Sequence, residues 1–490
     1  MRSLIVGRKE EQAVLEELYN SDESHLLAVY GRRRVGKTFL IREYFENELT
    51  FYHTALSPKE LQEQPNLLYR AQLSEFGKSL SRYGCKSECA PKDWFDAFDR
   101  LVDLLKVKSR RKRMVVFLDE LPWLDTSRAG FMTAFEHFWN GWGAGQHNLL
   151  LIVCGSATSW MLDKLINNNG GLYGRTGREI HVHPFDLAEC EAYYKKKGIS
   201  MDRYDIVQSY MILGGIPYYM SYFQKGKSLA QNIDSLFFGQ SGRLRDEFNR
   251  LFSSLFGDNE AHRKIVSTLA SHRYGMLRSE IIASCELTSG GNASDILKAL
   301  EKSDLIKQYN NFGETKRNTY YRLSDPFCLF YLNFARKNPT GNPTFWQDNL
   351  NSPKLNAWRG LAFEDVCFVH QKEIRIALGI SGVQAEIYPW HSEASGGTSG
   401  AQIDMLIDRS DRVISLCEMK FCQTEYSITK EYDAKMRDKL GRLMLETGRK
   451  RNIQTVFVTT YGLKANMYSG KIQRVLTMDD LFDRSNQAIF

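Results

Sequence analysis

The stretch His25-Leu26-Leu27-Ala28-Val29-Tyr30-Gly31-Arg32-Arg33-Arg34-Val35-Gly36-Lys37-Thr38-Phe39 decides how the first half of this chain is read. A short buried-strand run feeds directly into Gly31, and Thr38 to Phe45 continues with a helical pattern. Strand, glycine loop and helix are the context in which Gly-x4-Gly-Lys-Thr spacing works as a phosphate cradle. The glycines let backbone N–H groups turn inward around a β-phosphate, where side chains would interfere. The start of the helix adds a dipole that favours anions. Residues Gly31, Arg32, Arg33, Arg34, Val35, Gly36, Lys37, Thr38 and Phe39 are therefore predicted to surround the phosphates of ATP. Lys37 is expected to reach the β- and γ-phosphates, and the Thr38 hydroxyl to ligate Mg2+.

Two further strands carry matching polar ends. Arg113-Met114-Val115-Val116-Phe117-Leu118-Asp119-Glu120 is an apolar run ending in two carboxylates. Asp119 fits the magnesium-associated Walker B position, and Glu120 fits a base that orients and deprotonates an attacking water. Leu149-Leu150-Leu151-Ile152-Val153-Cys154-Gly155-Ser156 is the next buried strand, with Ser156 where it emerges. Ser156 reads either as a sensor of the γ-phosphate or as the N-cap of the following helix.

Composition bounds the rest. A chain of 490 residues supports two to four domains, and 43% hydrophobic with 25% charged residues is the balance of a globular protein. No apolar run approaches the roughly 20 residues of a membrane-spanning helix, and the opening Met1-Arg2-Ser3-Leu4 lacks a signal-peptide layout. A cytoplasmic protein without a membrane partner is expected. The nine cysteines are scattered, and Cys85-x3-Cys89 lacks the neighbours of a zinc site. The net charge of +7 permits a nucleic-acid partner without demanding one.

Several segments together resemble the archaeal-type AAA+ ATPases, relatives of the signal-transduction ATPases with numerous domains. They are Val6-Gly7-Arg8-Lys9-Glu10-Glu11, the Tyr30–Thr38 loop, Asp119-Glu120-Leu121-Pro122-Trp123-Leu124, Leu172-Tyr173-Gly174-Arg175-Thr176-Gly177-Arg178 and Gly214-Gly215-Ile216-Pro217-Tyr218-Tyr219. The resemblance implies that Arg175 or Arg178 approaches the γ-phosphate and that Pro217 packs near the adenine. Pairing with an acidic neighbour is the other reading of either arginine. A ring of copies would need arginines contributed across subunits, which leaves a homo-oligomer open.

The predicted architecture is α/β throughout: a P-loop parallel sheet over 1–190, a helical lid over 191–258, a winged helix-turn-helix over 259–340 and a restriction-endonuclease-like domain over 354–490. A Pro- and Asn-rich connector, Asn338–Pro353, separates the last two. Residues 261–340 carry 12 Lys and Arg against 7 Asp and Glu. His262–Ser271, Leu277–Ser284 and Asn292–Ser303 read as helices, and residues 305–309 and 319–323 as a hairpin. That order suggests DNA contact through Ser289–Lys302 and the wing residues Lys316 and Arg317, or else a packing module.

The last segment holds a second carboxylate set. Ala401–Asp408 and Val413–Lys420 read as paired strands, and period-two alternation puts Glu418 and Lys420 on one face. Asp404, then Glu418-x-Lys420, with Glu364 on an upstream helix, looks like a PD-(D/E)XK nuclease core, although Ile403 stands where a proline precedes the aspartate. The resemblance implies that Glu364, Asp404 and Glu418 hold one or two divalent ions (Mg2+ or Mn2+) and that Lys420 serves a water or a phosphate. The whole chain then reads as an ATP-driven switch coupled to a nuclease-like effector. The alternatives are a nucleotide-controlled DNA-binding regulator and a protein-interaction scaffold with an inactive nuclease fold.

Overall fold

The computed structural model describes residues 4–57, 65–86, 89–109, 112–126, 129–167, 177–257, 260–288, 290–313, 319–338, 341–392, 400–448 and 450–483. The chain divides into two compact units, Met1–Pro184 and Phe185–Phe490. Ser289, Lys316, Arg317 and Arg175 lie outside the described residues.

The first unit is built on five parallel strands in the order β2-β3-β4-β1-β5. They are β1 (His25–Tyr30), β2 (Leu49–Thr54), β3 (Met114–Asp119), β4 (Leu149–Gly155) and β5 (Arg178–His181). The runs MVVFLD and LLLIVCG are buried along their whole length. A parallel sheet covered on both faces demands such unbroken apolar sequence. The longer helices of this unit are α1 (Lys9–Asn20), α2 (Lys37–Phe45), α3 (Pro65–Arg82), α4 (Trp94–Val107) and α5 (Phe131–Gly141). Helix α4 starts where Asp93 caps the Asp96 N–H, and its Leu101, Leu104 and Leu105 are buried. Phe76, Trp94, Phe98, Phe131 and Phe135 form an aromatic core between α3, α4 and α5. The strand order brings the ends of β3 and β1 to either side of β4, so that three polar strand ends meet at one edge.

The second unit begins with α6 (Leu187–Lys197), opened by a reciprocal Asp186–Glu189 capping box and closed by Gly198 at φ 66°. Helix α7 (Arg203–Leu213) follows. Then come α8 (Glu260–Leu269), β6 (Met276–Leu277), α9 (Arg278–Ser284), α10 (Gly291–Lys302), β7 (Ile306–Tyr309) and β8 (Tyr320–Leu323). The three strands form an antiparallel sheet in the order β6-β8-β7. Strand β6 is a two-residue element that the periodicity does not reveal.

The rest of the second unit carries a mixed sheet in the order β13-β12-β11-β10-β9. It comprises α11 (Pro353–Val369), β9 (Ala385–Ser392), β10 (Ala401–Arg409), β11 (Val413–Lys420), α12 (Lys430–Glu446), β12 (Asn452–Thr459) and β13 (Arg474–Thr477). β10 pairs antiparallel with both β9 and β11, whereas β12 runs parallel to β11 and to β13.

The stretch expected to be a connector is in fact packed. Phe345–Asp348 forms a helical turn, and the Trp346 and Gln347 N–H groups donate to the buried Asp234 carboxylate at 2.7 and 3.1 Å. The Trp346 ring packs edge-on against Phe330 and Phe334. Its aromatic content outweighs its Pro and Asn residues, because burying Trp346 contributes more than a solvated linker would. Helix α7, in the stretch expected to form a lid, lies against α11 of the last segment. The Leu187 N–H also donates to His370 Nε2 at 3.1 Å, inside the protein.

Candidate functional site

The Gly31–Thr38 loop has the backbone that a phosphate cradle needs. Gly31 sits at φ 139°, Arg34 at 74° and Gly36 at 95°. A Cβ on Gly31 would lie 2.4 Å from the Val182 carbonyl oxygen, so no larger residue fits there. Lys37, nearly buried at the start of α2, donates to the Gly31 and Arg32 carbonyls at 2.9 and 3.0 Å. Arg8, also buried, braces the loop by donating to the Val35 carbonyl at 3.1 Å. Val35 is buried, Arg33 and Arg34 are half-buried, and Phe39 faces outward.

The Walker B strand meets this loop directly. Thr38 Oγ1 donates to Asp119 Oδ2 at 2.9 Å, across 81 residues of sequence. Burial first, and then the Glu120 charge beside it, push the Asp119 carboxyl up to about 6, with the Thr38 bond pulling the other way. Glu120 occupies the left-handed region at φ 52°, strain of the kind that clusters at functional sites. The Ser156 N–H and hydroxyl both donate to Glu120 Oε2, at 3.1 and 2.9 Å. Ser156 thus ties the end of β4 to the Glu120 carboxylate. Oε1 of Glu120 carries no hydrogen bond among the described residues.

The arginine candidates fare differently. Arg178 opens β5 level with Leu27, three residues before the loop end of β1. It forms an exposed ion pair with Glu17 of α1. Within one chain it is held away from the Gly31–Thr38 loop, because β5 runs parallel to β1 and Arg178 lies at its far end. Pro217 opens the helix Pro217–Met220 of the second unit, just after Gly214 and Gly215 at φ 66° and 65°. A Cβ on Gly215 would lie 2.1 Å from the Phe185 carbonyl oxygen, which explains the glycine pair as a close backbone approach.

In the second unit, Asp404, Glu418 and Lys420 come together. Met405 pairs with Cys417, so the aspartate and the glutamate are the next positions along β10 and β11. Lys420 Nζ lies 3.5 Å from both Asp404 Oδ2 and Glu418 Oε2 and donates to the Met419 carbonyl at 2.9 Å. The Met419 N–H donates to Asp404 Oδ2 at 2.8 Å. Burial and the Asp404 charge push the Glu418 carboxyl up, against the pull of Lys439 and Lys420. Burial pulls Lys420 down, but the two carboxylates carry it above its ordinary value. Glu364 does not join them among the described contacts: its carboxylate is paired with Arg273, while its neighbour Asp365 pairs with Arg322 at 3.0 Å. Two residues of this set escaped the sequence reading, Tyr432 and Lys439, both on α12 and both bonded to Glu418. A tyrosine and a lysine seven residues apart share one helix face, but nothing local says which face meets the sheet.

Comparison with known proteins agrees with the first unit. A family described as an ATPase domain predominantly from Archaea matches residues 5–223. An uncharacterized protein of Methanocaldococcus jannaschii is 24% identical over 353 residues, covering 68% of this chain and 70% of that protein. An uncharacterized ATP-binding protein of the same organism is 49% identical over 45 residues, 9% of this chain and 76% of its own length. Among solved structures, a Walker-type ATPase of Pyrococcus abyssi matches with a TM-score of 0.47 at 22% identity, over 68% of this chain and 97% of its own. Among the described residues no helix is long and apolar enough to cross a membrane. Residues 5–223 are thus similar to an ATPase domain found predominantly in Archaea, which supports a P-loop ATPase domain in this part of the chain.

Proposed function

We propose that this ATPase hydrolyses ATP at the junction of the Gly31–Thr38 loop with Asp119, Glu120 and Ser156. The observation that carries the reading is the Thr38–Asp119 hydrogen bond, which sets a hydroxyl and a carboxylate side by side at the phosphate loop. Hard oxygen donors in that arrangement suit Mg2+, and Thr38 and Asp119 are the residues that would hold it. The ion would supply charge neutralisation for the phosphates. Lys37 exchanges its loop carbonyls for β- and γ-phosphate oxygens when nucleotide binds. Glu120 Oε1 accepts a hydrogen bond from a water, which attacks the γ-phosphorus in line. The new P–O bond forms as the bond to the β-phosphate oxygen breaks, ADP leaves, and Glu120 takes the water's proton. Ser156 holds Glu120 in place and reports the state of the site to β4. Arg175 or Arg178 would act on the γ-phosphate of a neighbouring copy.

Glu120→Gln is expected to keep ATP binding and to lower phosphate release at least about 100-fold. Unchanged release would remove Glu120 from the mechanism.

A second reading concerns the rest of the chain, and the convergence of Asp404, Glu418 and Lys420 favours it. The helices α8, α9 and α10 with the β6–β8 sheet are read as a winged helix that relays nucleotide state or contacts DNA. Residues 354–490 are read as a nuclease-like effector. Cleavage of duplex or single-stranded DNA with Mg2+ or Mn2+, lost in Asp404→Ala, would support an active effector. Cleavage unaffected by that change would rule it out.

A further inference from the structure

The Asp404–Glu418 set is already neutralised from within. Glu418 has no exposed surface. Its Oε1 accepts from Lys439 Nζ at 2.6 Å, and its Oε2 accepts from the Tyr432 hydroxyl and lies 3.5 Å from Lys420 Nζ. Asp404 Oδ2 is bonded to the Met419 N–H and faces Lys420. The third carboxylate of the expected trio, Glu364, is spent on Arg273. Two carboxylates therefore face two ammonium groups, and the formal charge of the cluster is zero.

A divalent ion needs oxygen ligands at about 2.0–2.6 Å, and several of them negative. Both oxygens of Glu418 are engaged: the Lys439 ammonium sits on Oε1, and the Tyr432 hydroxyl and Lys420 face Oε2. A doubly charged ion on that oxygen would repel the ammonium by more than the ammonium gains from the carboxylate, so the two cations compete for one position. As arranged, these residues do not fit a bound metal. The obstruction is nonetheless removable. Lys420 is fixed by the Met419 carbonyl and by the strand that carries it. Lys439 reaches in from α12 on a flexible four-carbon stem, and among the described residues no carbonyl holds its ammonium. Tyr432, seven residues earlier on the same helix, holds Glu418 Oε2 and offers its ring to both lysines, whose Nζ atoms lie 5.2 and 5.9 Å from its centroid.

We propose that Lys439 is a built-in counter-ion in the cation position of the Asp404–Glu418 set, and that the set takes a divalent ion only when this ammonium swings out. The choice of Mg2+ or Mn2+ as the competing ion rests on the nuclease-like reading of residues 354–490. The test uses the full chain without nucleotide, titrated with Mn2+ while free ion is followed by electron paramagnetic resonance. Lys439→Met is expected to bind Mn2+ at least about tenfold more tightly than the unaltered protein. Adding Glu418→Gln to it should abolish the gain, which separates this site from the phosphate loop. Lys439→Arg, which keeps the charge, should bind as weakly as the unaltered protein. Equal affinity in Lys439→Met and the unaltered protein would overturn the proposal. So would tight Mn2+ binding by the unaltered protein that disappears in Glu418→Gln, a result that needs no altered Lys439 to fold. DNA cleavage is read separately. An Mn2+-loaded Lys439→Met protein that cuts nothing would sink the nuclease reading and leave the counter-ion assignment standing.

Discussion

Each unit of this protein sets two acidic side chains near lysine, and the two sets are neutralised in opposite ways. In the first, hydroxyl and N–H donors from Thr38 and Ser156 meet Asp119 and Glu120, while Lys37 points its ammonium at loop carbonyls. In the second, Lys420 and Lys439 face Asp404 and Glu418 directly. Neutral donors leave a carboxylate pair its charge and therefore its appetite for a cation. Ammonium donors satisfy that appetite in advance. The same residue types thus make a site prepared for a metal–nucleotide complex in one place and a closed network in the other.

The lysines separate the two sets by the largest effect. Lys37→Ala should reduce ATP hydrolysis on the order of 1000-fold, since no other ammonium replaces it at the phosphates. A loss below tenfold in a phosphate-release assay would mean that the loop does not use Lys37. The carboxylates come next. Glu418→Ala should destabilise the second unit on the order of 3 kcal/mol in denaturant unfolding, because it leaves Lys439 and Lys420 facing each other without their shared partner. Asp119→Asn should be neutral or stabilising by the same measurement, as Asp119 has no ion pair to lose among the described residues and its buried charge is a burden. Equal costs for the two changes would mean that the two carboxylate sets are neutralised alike.

The pH dependence of the first unit offers a third handle. His53 is buried with its Nδ1 3.0 Å from Ser79 Oγ, and burial lowers its pKa to about 4. Its folded value lies below its unfolded one, so the stability it supports is complete above about pH 6.5 and is lost as pH falls toward 4. That loss should reach about 2–3 kcal/mol. His53→Gln should flatten the dependence over the same window, whatever its effect at neutral pH. The smallest expected change is Ser156→Ala, about a tenfold drop in the hydrolysis rate as Glu120 loses its hydroxyl partner. An unchanged rate would return Ser156 to the role of a helix cap.

What was legible in advance follows the reach of each interaction. The phosphate loop and the polar strand ends could be read because their chemistry is local. The glycines and lysine of residues 31–38 are neighbours in sequence, and a strand must end where Asp119 and Glu120 follow Leu118. Glu418 and Lys420 could be placed on one face because strand alternation has a period of two. The expected connector at 338–353 was misread because composition describes a segment alone, whereas Trp346 is decided by the pocket that receives it. Glu364 was expected beside Asp404 on the strength of its helix. Its partner turned out to be Arg273, 91 residues earlier in the chain.

The sequence by itself determined the parallel sheet of the first unit and the identity of its phosphate loop, since continuous apolar strands and a glycine-lysine turn leave the backbone few alternatives. Only the tertiary structure decided what faces each carboxylate. Which face of α12 lies over β11, and so whether Glu418 meets Lys439 or open solvent, depends on packing between elements far apart in the chain, where no local rule of spacing applies.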